Sequence, residues 1–66
     1  MNIFVNDQPR EVAAATSVAE LLETLDLEPR HVAVEVNLQL VPRRQHREHQ
    51  LAAGDRLEVV TLVGGG

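Results

Sequence analysis

The chain has 66 residues, 44% of them apolar, and a formal net charge of −4, with arginine as its only basic residue besides histidine. It contains no cysteine, which excludes disulfides and thiolate zinc sites; the acidic balance argues against a nucleic-acid partner and favours partners with basic surfaces. No apolar run approaches the ~18 residues of a membrane span, and the first residues lack the features of a signal peptide. We therefore expect one cytoplasmic domain, with a core of Val, Leu, Ile and Ala around Phe4.

A hairpin is the first predicted element, over residues 1–14. Apolar residues alternate along "MNIFVN", which places Phe4 on the opposite face of a strand from its two neighbours. Asn6 and Asp7 then mark a turn, because their short side chains can bond their own backbone. Pro9 opens the returning strand and predicts an edge position, since proline cannot donate to a strand ladder.

The clearest helix is predicted over "TSVAELLETLDL", and Pro29 follows it. Ser17 and Glu20 have the spacing of a capping box, in which each side chain satisfies an amide at the start of the helix. Apolar residues recur at the helical spacing i, i+3, i+4 and i+7, which predicts one face packed on a sheet. These residues are Val18, Leu21, Leu22 and Leu25.

The second half of the chain predicts three more strands. "HVAVEV" alternates with period two and predicts a half-buried strand, "NLQ" turns the chain into a short strand that Pro42 ends, and Gly54 marks a tight turn. "LEVVTLV" is nearly all apolar, which predicts a central strand covered on both sides or an exposed patch near its end. One helix crossing a short mixed sheet is an α+β fold, with the first and last strands parallel at its centre.

The chain has three histidines, and these are its candidate metal ligands. His46 and His49 have helical spacing, and His31 could join them. No carboxylate sits at ligand spacing beside them, so we expect three exposed surface histidines and no metal site.

A basic cluster lies in the segment "PRRQHRE", with Arg43, Arg44 and Arg47. It could dock a carboxylate-rich partner or a phosphate. A solvated loop that balances the charge of an acidic protein is an equally good interpretation, and the sequence leaves both open.

The last residues, Gly64 to Gly66, follow directly on an apolar strand. Three extended residues reach roughly 10 Å, and without side chains they could thread a narrow channel in an enzyme that activates the terminal carboxylate. The alternative is an incidental flexible end. We favour a functional tail because no polar spacer separates the glycines from the strand.

"NIFVND", "SVAELLETLDL", "VAVEVN", "VPR", "GDRLEVV" and a terminal "GG" occur here in an order that resembles the ThiS family of ubiquitin-like sulfur carriers of thiamin biosynthesis. The resemblance covers nearly the whole chain. It implies a single ubiquitin-like β-grasp domain over residues 1–66, with a mixed sheet of four to five strands on one main helix and a flexible tail at 64–66.

The resemblance also implies a carrier role and no enzymatic activity or bound cofactor. The carboxylate of Gly66 would be adenylated by a ThiF-type enzyme using ATP, converted to a thiocarboxylate through a cysteine desulfurase relay, and used by a ThiG-type thiazole synthase. Gly64 and Gly65 would thread the tail into these enzymes. An apolar partner surface would be formed by Val60, Leu62 and Val63.

Other readings stay open. The small subunit of molybdopterin synthase uses the same tail, as do thiocarboxylate donors for tRNA thiolation or cysteine synthesis. A plain β-grasp interaction module and a ubiquitin-like modifier are further alternatives. The turn "NLQ" departs from the commoner Asn-Gly of the family, which we expect to cost little, and the arginine-rich loop is not a hallmark of the family.

Overall fold

The structure is a computed structural model, and it describes residues 1–62. Within this part of the chain, five strands form one sheet in the order β2-β1-β5-β3-β4, with one α-helix and two short 3-10 turns, Pro29–His31 and Arg43–Gln45. The elements are β1 (Asn2–Val5), β2 (Gln8–Glu11), α1 (Val18–Thr24), β3 (Val32–Val36), β4 (Gln39–Val41) and β5 (Arg56–Thr61).

The strand order confirms the predicted arrangement. β1 and β5 run parallel at the centre, β2 and β4 occupy the edges, and β3 pairs antiparallel with both of its neighbours. Pro9 therefore lies on an edge strand as expected. This is the ubiquitin-like β-grasp fold. No helix within residues 1–62 has the length and apolarity needed to cross a membrane.

The capping box positions α1 across the sheet. The Ser17 hydroxyl accepts a hydrogen bond from the Glu20 amide (3.1 Å), and the Glu20 carboxylate accepts one from the Ser17 amide (2.9 Å). The helix is shorter than predicted and ends at Thr24, and Asp26 takes a positive φ of 60° just beyond it. Ten apolar residues form the core: Ile3, Val18, Leu21, Leu22, Val32, Val34, Val36, Val41, Leu51 and Leu57.

Phe4 is not in this core, and that expectation was wrong. Ile3 points to the helix side of the sheet and is fully buried, so Phe4, its neighbour in the strand, must point to the opposite face. The Arg56 guanidinium lies over its ring, 4.6 Å from the centroid. Within residues 1–62, the buried hydrophobic side chains of the core are therefore all aliphatic.

Left-handed backbone shapes the turns. Asn6 and Asp7 join β1 to β2 with φ values of 50° and 67°, and Asn37 and Leu38 join β3 to β4 with 52° and 69°. Gly54 has a φ of 85°, as its tight turn predicts. Asparagine tolerates this region, but for leucine it costs roughly 1–2 kcal/mol. The departure from Asn-Gly is therefore more costly than the sequence suggested.

His46 is buried, with 4% of its surface exposed, which corrects the expectation of three exposed histidines. Its Nε2 lies 3.0 Å from the Val41 carbonyl oxygen. The carbonyls of His46 and His49 accept hydrogen bonds from Ala19 and Val18 at the start of α1, at 3.0 and 2.9 Å. The loop thus closes over the start of α1, and the His46 side chain is buried there.

Candidate functional site

The site predicted from sequence lies at the end of β5. This strand is paired with β3 from Leu57 up to Thr61, which lies opposite Val32. Beyond the strand, the Leu62 amide still donates to the His31 carbonyl at 2.8 Å. The chain is therefore fixed to the sheet up to the last residue that the structure describes.

One side of the sheet is not covered by the helix; we call it the open face, and define its apolar part by Ala33, Leu40, Val60 and Leu62. Alternation along β5 buries Leu57 on the helix side and turns Val60 and Leu62 outward, where 54% and 46% of their surfaces are exposed. Ala33 lies directly opposite Val60. Leu40, on β4, is 64% exposed. The second of the two alternatives for the last strand, an exposed patch near its end, is the correct one.

Two carboxylates interrupt this apolar surface. Glu35 of β3 lies directly opposite Glu58 of β5 in the antiparallel register, and Leu40 pairs with Glu35 from the other side. Like charges directly opposite each other in a sheet are mutually unfavourable. A cationic group that approached these two carboxylates would relieve this repulsion.

Asn6 supports β5 from the other side, and sequence reasoning missed this role. The prediction was that Asn6 would bond its own turn. Instead, its side-chain amide donates to the Val59 carbonyl at 3.1 Å and accepts from the Val59 amide at 2.8 Å. Its backbone amide also donates to the Leu57 carbonyl at 2.9 Å. The partners lie 53 residues apart in sequence, so no local signal could have revealed them.

Several predicted site residues fall outside the described part of the chain: Val63, Gly64, Gly65 and Gly66. Their roles stay predictions. Val60 and Leu62 are the two predicted partner-binding residues whose positions the structure gives.

The basic cluster is on the surface but away from the paired carboxylates of the open face. Arg43, Arg44 and Arg47 are all exposed, and within residues 1–62 none of them forms an ion pair. Arg47 borders an open groove that is also lined by acidic residues of α1, including Glu20 and Glu23. In the same described range, no three potential metal ligands come together.

Comparisons with known proteins place this geometry in a family. The ThiS family matches residues 3–66, and the chain belongs to that family. It is 39% identical over its full length to the sulfur carrier protein ThiS of Escherichia coli, whose whole length it covers. A crystal structure of the thiamine biosynthesis protein ThiS from Geobacter metallireducens superposes with a TM-score of 0.86 at 33% identity, and each chain is covered completely.

A second kind of relative is much longer. The chain is 38% identical over its 66 residues to a thiazole synthase of Paramagnetospirillum magneticum. It spans only 20% of that protein, and also 20% of a thiazole synthase of Magnetococcus marinus. A segment like this chain is therefore part of some thiazole synthase polypeptides.

Proposed function

We propose that this protein is a sulfur carrier for thiamin biosynthesis. A ThiF-type enzyme would adenylate the Gly66 carboxylate: a carboxylate oxygen attacks the α-phosphorus of ATP, and pyrophosphate leaves. The terminal sulfur of a persulfide on a cysteine desulfurase relay would then attack the carbonyl carbon and displace AMP, which gives an acyl disulfide. A second thiol of the relay would attack the sulfur that is joined to the relay cysteine, so that a relay disulfide forms and the carrier leaves as a thiocarboxylate. The observation that carries the proposal is the full-length likeness to a ThiS sulfur carrier, with membership of the family over residues 3–66.

In this scheme the protein is a co-substrate and the enzymes are its partners. ATP is bound by the activating enzyme, and the chain itself needs no cofactor. The cysteine-free composition favours a cytoplasmic location for the protein. A relative that matches over its full length is a sulfur carrier. This likeness supports the carrier role over the two alternatives, a ubiquitin-like modifier and a plain interaction module.

A ThiG-type thiazole synthase is the proposed recipient of the sulfur. Its support is the presence of a similar segment within thiazole synthases of two bacteria. Joining two partners in one polypeptide raises their effective concentration and is useful where they act together.

The open face is the proposed docking surface for these partners. Val60 and Leu62 offer apolar contact beside the strand end that leads to the tail. The facing carboxylates of Glu35 and Glu58, together with the net charge of −4, favour a partner whose surface is basic around an apolar centre.

The test is intact-mass measurement after incubation with ATP, a ThiF-type enzyme and a sulfur source. We expect the mass gain of one oxygen replaced by sulfur. Deletion of Gly66 should abolish it, and Gly65→Val should slow it while leaving folding intact, because a bulky side chain obstructs a narrow channel. Absence of the gain in the unaltered protein would refute the carrier role, and conjugates to lysines of other proteins would indicate a modifier.

The recipient is identified by a second step with the charged protein. Purified thiocarboxylate is mixed with thiazole synthase and its other substrates, or with the large subunit of molybdopterin synthase and its substrate. We expect sulfur loss only with thiazole synthase. Loss only with the molybdopterin enzyme would move the protein to that pathway.

A further inference from the structure

The support of β5 is unequal on its two sides. β3 pairs with five consecutive residues of β5, from Leu57 to Thr61. β1 pairs with only Arg56 and Leu57, because β1 ends at Val5 and its chain turns back into β2. Past this point, no other strand within residues 1–62 pairs with the edge of β5 that faces β1.

The Asn6 side chain extends that short pairing by one step. Its carboxamide has the same donor and acceptor as a peptide unit, and it bonds both the amide and the carbonyl of Val59. With the bond from its backbone to Leu57, Asn6 makes three hydrogen bonds to β5. The backbone amide and carbonyl of Val59 are thus both bonded on the side of β1, opposite β3, and seven residues follow Val59 in the sequence.

We propose that Asn6 is a positioning residue for the carrier reaction. By fixing Val59 from the side opposite β3, it sets the twist of the strand end. That twist determines how Val60 and Leu62 are presented on the open face. This inference rests on the proposed function, since these two side chains belong to the proposed docking surface for the activating enzyme.

The other turn provides a matched control. Asn37 also occupies the first position of a two-residue turn, and its φ of 52° nearly equals the 50° of Asn6. Its side chain also bonds β5, accepting from the Arg56 amide at 3.0 Å and donating to Asp55 at 3.0 Å. However, Arg56 is the first residue of β5, at the end far from the tail. Removing the side-chain amide of Asn37 therefore deletes two hydrogen bonds, as removing that of Asn6 does, but leaves the C-terminal end of β5 unchanged.

The experiment compares Asn6→Gly with Asn37→Gly in the full chain. Glycine accepts positive φ, so each change deletes the side-chain amide and leaves the turn geometry available. Adenylation kinetics with a ThiF-type enzyme are measured beside amide hydrogen exchange. We expect Asn6→Gly to raise the KM for the carrier about five- to tenfold, because fewer molecules hold the competent orientation, with kcat nearly unchanged. Asn37→Gly should keep the KM of the unaltered protein, within about twofold.

Hydrogen exchange provides a readout that does not depend on activity. In Asn6→Gly the amides of Val59 and Leu62 should exchange faster, whereas in Asn37→Gly the faster amide should be that of Arg56. Asn6→Asp retains the acceptor for the Val59 amide and loses the donor, so its KM should lie between those of Asn6→Gly and the unaltered protein.

Two results would overturn the inference: an unchanged KM in Asn6→Gly, or an equal rise in both glycine variants, which would reflect general loss of stability. If the unaltered protein is never adenylated, the proposed function fails instead. In that case, hydrogen exchange of the Leu62 amide tests the positioning role. The role is refuted if this amide exchanges at the same rate in Asn6→Gly and in the unaltered protein.

Discussion

Replacing Leu38 by glycine should make the protein more stable, although it removes an apolar side chain. Leu38 is the second residue of the turn between β3 and β4, with a φ of 69°. Its side chain is 86% exposed, so the native structure gains little from burying it. Two-residue hairpin turns of this kind favour Asn-Gly because both positions need positive φ.

The magnitude follows from two opposing terms. Leucine in the left-handed region costs roughly 1–2 kcal/mol, and glycine removes this strain. Glycine also makes the unfolded chain more flexible, which costs roughly 0.5–1 kcal/mol. The net gain in the free energy of unfolding is centred on about 0.75 kcal/mol, within a range of about 0–1.5 kcal/mol. At roughly 4–8 °C per kcal/mol for a domain of this size, the central value raises Tm by about 3–6 °C.

Thermal and urea unfolding of Leu38→Gly and a control, Leu40→Gly, test this reasoning. Leu40 lies two residues further on, in β4, and is 64% exposed. A residue within a strand has a negative φ, so leucine is not strained there, and glycine should lower the free energy of unfolding by about 1 kcal/mol. If both variants lose stability, strain at position 38 is not the controlling term and the argument from φ is refuted.

Three other substitutions test the core, the cap and the loop. Leu22→Ala, at a fully buried position, should lower the free energy of unfolding by about 2–5 kcal/mol and could unfold so small a domain; a loss below 1 kcal/mol would contradict its place in the core. Ser17→Ala removes the cap acceptor of α1 and should cost about 1 kcal/mol, seen as a lower urea midpoint at unchanged m-value. His46→Ala should cost about 2–4 kcal/mol, as expected for a buried ring, whereas the same change at the exposed His31 should leave Tm nearly unchanged; equal effects would place the two histidines in similar surroundings.

Much of the fold could be predicted because its signals are local. The capping box at Ser17 and Glu20 depends on a spacing of three residues, and the alternation in β3 depends on neighbours two residues apart. Both patterns are properties of single elements, and both are present in the structure. The central place of β5 was also predicted and is confirmed, but the apolar run did not show whether both of its faces are covered, and one of them is exposed at Val60 and Leu62.

Side-chain direction across the sheet was harder to predict. Phe4 seemed suited to the core by its size, but its position beside Ile3 turns it to the open face, where Arg56 covers it. His46 seemed suited to the surface by its polarity. Its segment closes over the start of α1, however, and the His46 ring is buried in the folded loop.

By itself, the sequence determined the elements, the family and the chemical nature of the candidate site, because periodicity, capping residues and the glycines at positions 64–66 are written in consecutive residues. Tertiary structure alone decided which groups meet around β5: Asn6 with Val59, Glu35 with Glu58, and Val60 with Ala33. These residues are far apart in the sequence, and the folding of the strands into one sheet places them beside each other.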